Sequence, residues 1–165
     1  MISFEDIKNN AAVKTYIQKA DSSLQALGYT EHSFAHVTKV AVCAGEILSQ
    51  LNYPPHEVEL AKIAGYLHDI GNLVNRVDHS QSGAVMAFRL LDHLGMEPAE
   101  ISEIVTAIGN HDEGTGKPVS PMAAALILAD KSDVRRSRVR NQDIAAFDIH
   151  DRVNYSVKKA ELKIN

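Results

Sequence analysis

An all-α fold, a compact bundle of helices, is predicted by three features of the sequence. Apolar residues recur at three- and four-residue spacing along most of its length, proline and glycine punctuate it at helix-sized intervals, and alternating strand patterns are nearly absent. With 165 residues, 45% of them hydrophobic and 23% charged, the composition is that of an ordinary globular domain, able to bury roughly 68–70% of its unfolded surface. One domain over residues 1–165 is expected, with its core in 33–140. A formal net charge of -4 offers no electrostatic footprint for nucleic acid or an anionic membrane, so neither is expected as a partner and small molecules are favoured.

A first helix is expected within 4–27. Phe34, Val37, Val40, Ala41, Ala44, Ile47, Leu48 and Leu51 fill one stripe of a second, about five turns long. The next starts after Pro54-Pro55 and runs through Val58, Ala61, Ile63, Ala64 and Leu67 toward His68-Asp69, with Gly71 as its stop. Asp78 and Gln81 predict a capping box for a helix carrying Ala84, Ala87, Phe88, Leu91 and Leu94 and ending at Gly95. Pro98 opens another, whose Ile101, Ile104, Val105 and Ile108 face one way until Gly109. After a glycine-bearing loop over 110–119, Ser120-Pro121 supplies an N-cap and first-turn proline for a helix through Ala125, Ile127 and Leu128. If that helix continues, Lys131, Arg135 and Arg138 share a face. Weak alternation over Leu162, Lys163 and Ile164 predicts a short C-terminal strand, cut off in mid-pattern.

Cys43 is the only cysteine, which excludes an intramolecular disulfide and a thiolate metal site and points to a reducing compartment. Residues 1–10 lack a secretory signal's basic and apolar regions, and the longest apolar run, 122–129, falls well short of the ~20 residues of a membrane span. A cytoplasmic protein is expected. Eight histidines beside no tryptophan are the unusual feature, because imidazole suits metals and proton transfer near neutral pH.

His68-Asp69 places an imidazole and a carboxylate together in an apolar run, where a charge is costly unless it is paired or bound to a cation. A hydrogen-bonded His-Asp pair is the ordinary reading of that dipeptide alone. His36 flanks the 34–51 stripe, where a core histidine is ordinary, and His79 opens its helix, where a surface histidine is. His111 ends the 101–108 face, where the helix dipole favours a cation. Asp130 follows Leu126 and Ile127 on a face that packing would give to an apolar residue. Taken jointly over five segments, these positions read better as a metal centre. Histidine and carboxylate without thiolate suit iron, manganese, zinc or cobalt, with magnesium an option where carboxylate and water dominate. His36, His68, Asp69 and Asp130 suffice for one divalent ion; His79 and His111 allow a second, with Asp69 bridging.

The ordered set His36-Val37-Thr38-Lys39-Val40, Leu67-His68-Asp69-Ile70-Gly71, Asp78-His79-Ser80, Asn110-His111-Asp112-Glu113 and Leu128-Ala129-Asp130-Lys131 resembles the HD-domain metal-dependent phosphohydrolase superfamily over about 33–140. The resemblance implies an all-helical fold. It also implies a minimal metal site at His36, His68, Asp69 and Asp130, with His79 and His111 as the extra ligands of two-metal members. Those members include HD-GYP cyclic dinucleotide phosphodiesterases, symmetrical diadenosine tetraphosphate hydrolases and mixed-valence di-iron oxygenases. Asn72 stands where HD-GYP proteins have lysine, Asn110-His111 where they have paired histidines, and Gly116-Lys117-Pro118 matches Gly-Tyr-Pro only loosely; all three argue against cyclic dinucleotide hydrolysis. His32 lies one turn before His36, where some relatives hold a third ion; the alternative is a partly exposed histidine.

The expected function is hydrolysis of a phosphoester or phosphoanhydride in a nucleotide or related small phosphorylated substrate, with Asp69 and His68 at the catalytic centre. Lys131, Arg135 and Arg76 are candidate phosphate ligands, Arg136 and Arg140 surface residues, and Asp112 or Glu113 a proton shuttle. The same ligands would also serve a di-iron oxygenase or a nucleotide-binding regulatory module without turnover.

Overall fold

The computed structural model describes residues 1–165 and is all-helical: α1 (Phe4–Asn9), α2 (Ala11–Ala26), α3 (Phe34–Gln50), α4 (Pro55–Leu67), α5 (His79–His93), α6 (Pro98–Gly109), α7 (Pro121–Ser132) and α8 (Ile149–Ser156). Short 3-10 turns lie at Ile70–Leu73, Arg136–Arg138 and Ile144–Ala146. No helix is long and apolar enough to cross a membrane.

The expected N-terminal helix is two, because Asn10 leaves helical geometry and caps α2 by accepting from the Ala12 and Val13 amides. The core forms where α3 lies on α4 and α7 and α6 packs against both of those helices, through Val40, Ala41, Ala44, Ile63, Ala64, Ile104, Ile108 and Leu126. Gly65 sets the α3–α4 contact, since a Cβ there would stand 2.7 Å from the Ala41 Cα.

Four local expectations differ from the structure. α4 ends at Leu67, before Gly71; the glycine is needed instead where the 3-10 turn presses on α5. Asp78 has φ 55° and makes no side-chain cap, so the capping box is not formed, and Gln81 Nε2 donates to the Gly109 carbonyl at 2.9 Å. α7 stops at Ser132, so Lys131, Arg135 and Arg138 do not share a helical face. The C-terminal residues form no strand. One helix, α8, was not expected, because it carries no apolar stripe facing the core; its Asp148–Asp151 capping box starts it instead.

A Cβ on Gly71 would overlap the His79 carbonyl oxygen and come within 2.5 Å of the Gly83 nitrogen. Gly71→Ala is therefore expected to destabilise the fold by ~2 kcal/mol or more, read as a drop in Tm by far-UV circular dichroism.

Candidate metal centre

Helix ends bring the polar residues together. His36 sits in the first turn of α3, His68 just past α4, Asp69 before the following 3-10 turn, His79 at the start of α5, His111 just after α6 and Asp130 near the end of α7. All are buried except Asp130, whose side chain is 12% exposed. The Asp69 carboxylate divides them. Its Oδ2 faces His68 Nε2 at 3.0 Å and His36 Nε2 at 3.4 Å, and its Oδ1 faces His79 Nε2 at 3.5 Å and His111 Nε2 at 3.7 Å. Asp130 Oδ1 lies 3.3 Å from His36 Nε2 and 3.5 Å from His68 Nε2. The Nε2 atoms of His79 and His111 stand 3.2 Å apart.

The opposite ring nitrogens fix the chemistry of those atoms. Nδ1 of His68, His111 and His79 donates to the carbonyls of Gly65, Ile108 and Arg76 at 2.8, 2.6 and 3.1 Å. A carbonyl only accepts, so Nδ1 carries the proton and Nε2 of the neutral ring presents a lone pair. His36 Nδ1 bonds Asp133 Oδ2 at 2.8 Å. The Nε2 atoms of His36 and His68 are fully buried without a hydrogen-bond partner, which costs free energy unless a cation or a proton meets them.

Electrostatics states the same demand. Burial opposes the imidazolium form of His36, yet the facing carboxylates of Asp130, Asp133 and Asp69 outweigh it and raise its pKa to about 9. At His68 burial is likewise outweighed, by Asp69 and Asp130, and the pKa rises to about 10. Burial would raise Asp69 and Asp130, but the imidazoles hold both well below the ordinary carboxylate range. The cluster favours positive charge, which a divalent cation would supply. His36, His68 and Asp130 form one group able to hold an ion, and His68, Asp69 and His111 another. His79 reaches the second through Asp69 and His111.

Two supporting residues escaped the sequence reading. Asp133, 1% exposed, accepts from His36, from Lys39 Nζ at 2.8 Å and from Arg135 Nε at 2.7 Å. Its signal was its position three residues after Asp130, which a helix would place beside it. Asn72 donates to the Asp69 carbonyl at 2.9 Å and to Oδ1 at 3.2 Å, so it locks the carboxylate in place.

A cavity of about 360 Å³ opens over Asp69, His79, His111 and Asp130. Lys131 lines it, bonded to Asp130 Oδ2 at 2.7 Å and to Glu113. Arg76 lines it too, with Nη1 3.2 Å from Asn72 Oδ1 and the guanidinium 5.7 Å from the centre of the Tyr29 ring. Arg135 does not line it; its guanidinium is held by Asp133 and by Glu31 at 3.1 Å. Arg138 borders the cavity but donates to the Glu31 and Asp133 carbonyls. Arg136 is exposed, donating to the Tyr155 carbonyl at 2.8 Å; Arg140, expected as a surface residue, is instead paired with Asp21 at 2.7 Å and 21% exposed. His32 has a 10% exposed side chain 3.9 Å from Asp69 Oδ2, and burial drives its pKa down to about 3. Asp112 and Glu113 both line the cavity.

The model of the HD domain matches residues 33–152. The chain belongs to the HD-domain family. An uncharacterized protein of Methanocaldococcus jannaschii is 25% identical over 97% of this chain and 70% of its own length. Ribonuclease Y of Thermosipho melanesiensis is 33% identical over 72% of this chain, and that of Lawsonia intracellularis 36% identical over 64%. This chain spans only 22% and 18% of those two enzymes. A predicted HD superfamily hydrolase from an uncultured Thermotogales bacterium, of known crystal structure, superposes with a TM-score of 0.57 at 25% identity, over 75% of this chain and 67% of that one. HD membership and the hydrolase neighbour support a metal-dependent hydrolase.

Chelator-stripped protein reloaded with Mn²⁺ is expected to hold one or two ions per chain, and Asp69→Ala, which removes the carboxylate facing both imidazole pairs, to lose bound metal on elemental analysis. Asp133→Asn is expected to weaken Mn²⁺ binding by about 10–100-fold in a chelator-competition titration, because it alters what holds the His36 ring.

Proposed function

We propose that this HD-domain protein is a metal-dependent phosphohydrolase that cleaves a phosphoester or phosphoanhydride of a small phosphorylated substrate, a nucleotide or a close relative of one. The observation that carries the reading is the Asp69 carboxylate, shared between two imidazole pairs and flanked in one cavity by Lys131 and Arg76.

His36, His68, Asp69 and Asp130, with His79 and His111, would hold one or two divalent cations, iron or manganese before zinc, cobalt or magnesium, which when bound acidify water and neutralise charge on a phosphoryl oxygen. Lys131 spends two of its three ammonium protons on Asp130 and Glu113, leaving one for a phosphoryl oxygen beside the Asp130 side of the centre. Arg76 commits Nη1 and keeps Nε and Nη2 as a fork for phosphoryl oxygens on the His79 side. Arg135 holds Asp133, and through it the His36 ring, rather than substrate. Burial raises the Glu113 carboxyl, but Lys131 outweighs it and keeps the pKa below the ordinary value; Glu113 thus accepts a proton at neutral pH and has none to give. The Ribonuclease Y relatives support phosphoester cleavage as the chemistry, while the net charge of -4 favours a nucleotide over a polymer as the substrate.

The test is phosphate or nucleotide release from mononucleotides, dinucleoside polyphosphates, cyclic dinucleotides and (p)ppGpp, run anaerobically with Mn²⁺ or Fe²⁺. Turnover is expected for one of these classes and lost in Asp69→Ala. Lys131→Ala is expected to lower kcat/KM by about 10–100-fold, the loss of one charge-assisted phosphate contact. Silence across the panel with metal bound overturns the reading, and oxygen consumption by the reduced protein would then mark an oxygenase.

A further inference from the structure

Helix α8 is built the wrong way round for a surface helix. Its polar Asp151 and Asn154 are buried at 2% and 6% exposure, while its apolar Ile149 and Val153 are 67% and 44% exposed. The buried pair has structural employment: the Asp151 amide and carboxylate close the capping box with Asp148, and Asn154 Oδ1 accepts from the Arg135 amide at 2.9 Å. These contacts fix the rotation of the helix about its axis. Ile149 and Val153, four residues apart, consequently share a face, and that face is a wall of the cavity over the metal centre. Val134 and Tyr29 are the other apolar residues lining it. Every other lining residue is polar or charged.

Exposing two branched apolar side chains is unfavourable unless something covers them, and the cavity determines what reaches them. We propose that Ile149 and Val153 form a subsite for the organic half of the substrate, and that this half carries an apolar ring, as a nucleoside does. The phosphoryl group would lie toward Asp69, Lys131 and Arg76, and the ring against α8. A volume of about 360 Å³ is near the lower end of ligand pockets, so with the phosphoryl group in place it accommodates one ring system. This rests on the phosphohydrolase reading and adds to it which compounds the site prefers.

The probes are methylphosphonate and phenylphosphonate, whose carbon–phosphorus bonds are not hydrolysed and which differ in the ring, titrated calorimetrically into Mn²⁺-loaded protein. Phenylphosphonate is expected to bind about tenfold tighter or better. In the double variant Ile149→Ala/Val153→Ala that preference is expected to fall to about twofold or less, with methylphosphonate affinity unchanged. Both residues are exposed, and an unchanged melting curve verifies the fold. Equal binding of the two probes to wild type overturns the subsite and leaves the phosphohydrolase reading standing, as does a preference that survives in the variant. If neither probe binds, the phosphoryl site itself is overturned, and the subsite with it.

Discussion

Two carboxylates sealed among imidazoles impose the constraint that the rest of the molecule obeys. Asp69 is buried and Asp130 nearly so, and each faces at least two ring nitrogens whose lone pairs point inward. Such a cluster is unstable as an assembly of neutral acceptors and anions; it must take up protons or cations. A hydrophobic core around it raises the cost of leaving it empty, so the packing that stabilises the fold also tightens the site's hold on an ion.

The chain meets this constraint with one device used repeatedly. A helix leaves its last carbonyls without partners, and at the ends of α4 and α6 a following histidine uses one of them: His68 donates to Gly65 and His111 to Ile108, each three residues back. His79 does the same to Arg76 without a preceding α-helix. The carbonyl gains a side-chain donor, and the ring is fixed in tautomer and direction. His36 sits at a helix start, where no such carbonyl is available, and its donor is taken by the carboxylate of Asp133. Asp133 in turn is held by Lys39 and Arg135, which explains why a basic run follows Asp130 without reaching the cavity as a whole.

Much of this was legible in the sequence, because periodic apolar stripes and proline or glycine stops report helices directly. The all-helical class follows from them, as do the positions of α3 through α7. Six polar residues stood out as candidates because each occupied a place that packing gives to an apolar side chain or a helix end. What escaped has a common physical origin. Asp133 and Asn72 act through contacts with residues distant in sequence or with the backbone, and neither breaks a periodic pattern. α8 buries polar residues and exposes apolar ones, so a reading that equates apolar with inside passes over it. The continuation of α7 failed because charge spacing alone does not maintain a helix; the residues past Ser132 gain more from Asp133, Glu31 and Asn154 than from another turn.

The bond from His36 to Asp133 joins residues 97 positions apart, and the candidate ligands, His36 included, come from five separate segments. Chain closure over such a span is entropically expensive and slow, so no early-folding fragment owns the centre. During synthesis the first ligands emerge long before α7 exists to complete the set. An ion that needs the complete ligand set would bind the finished bundle more tightly than its precursors, and by mass action would add that difference in binding free energy to the stability of the native state. Metal supply would in this way govern how much folded protein a cell accumulates as well as how active each molecule is.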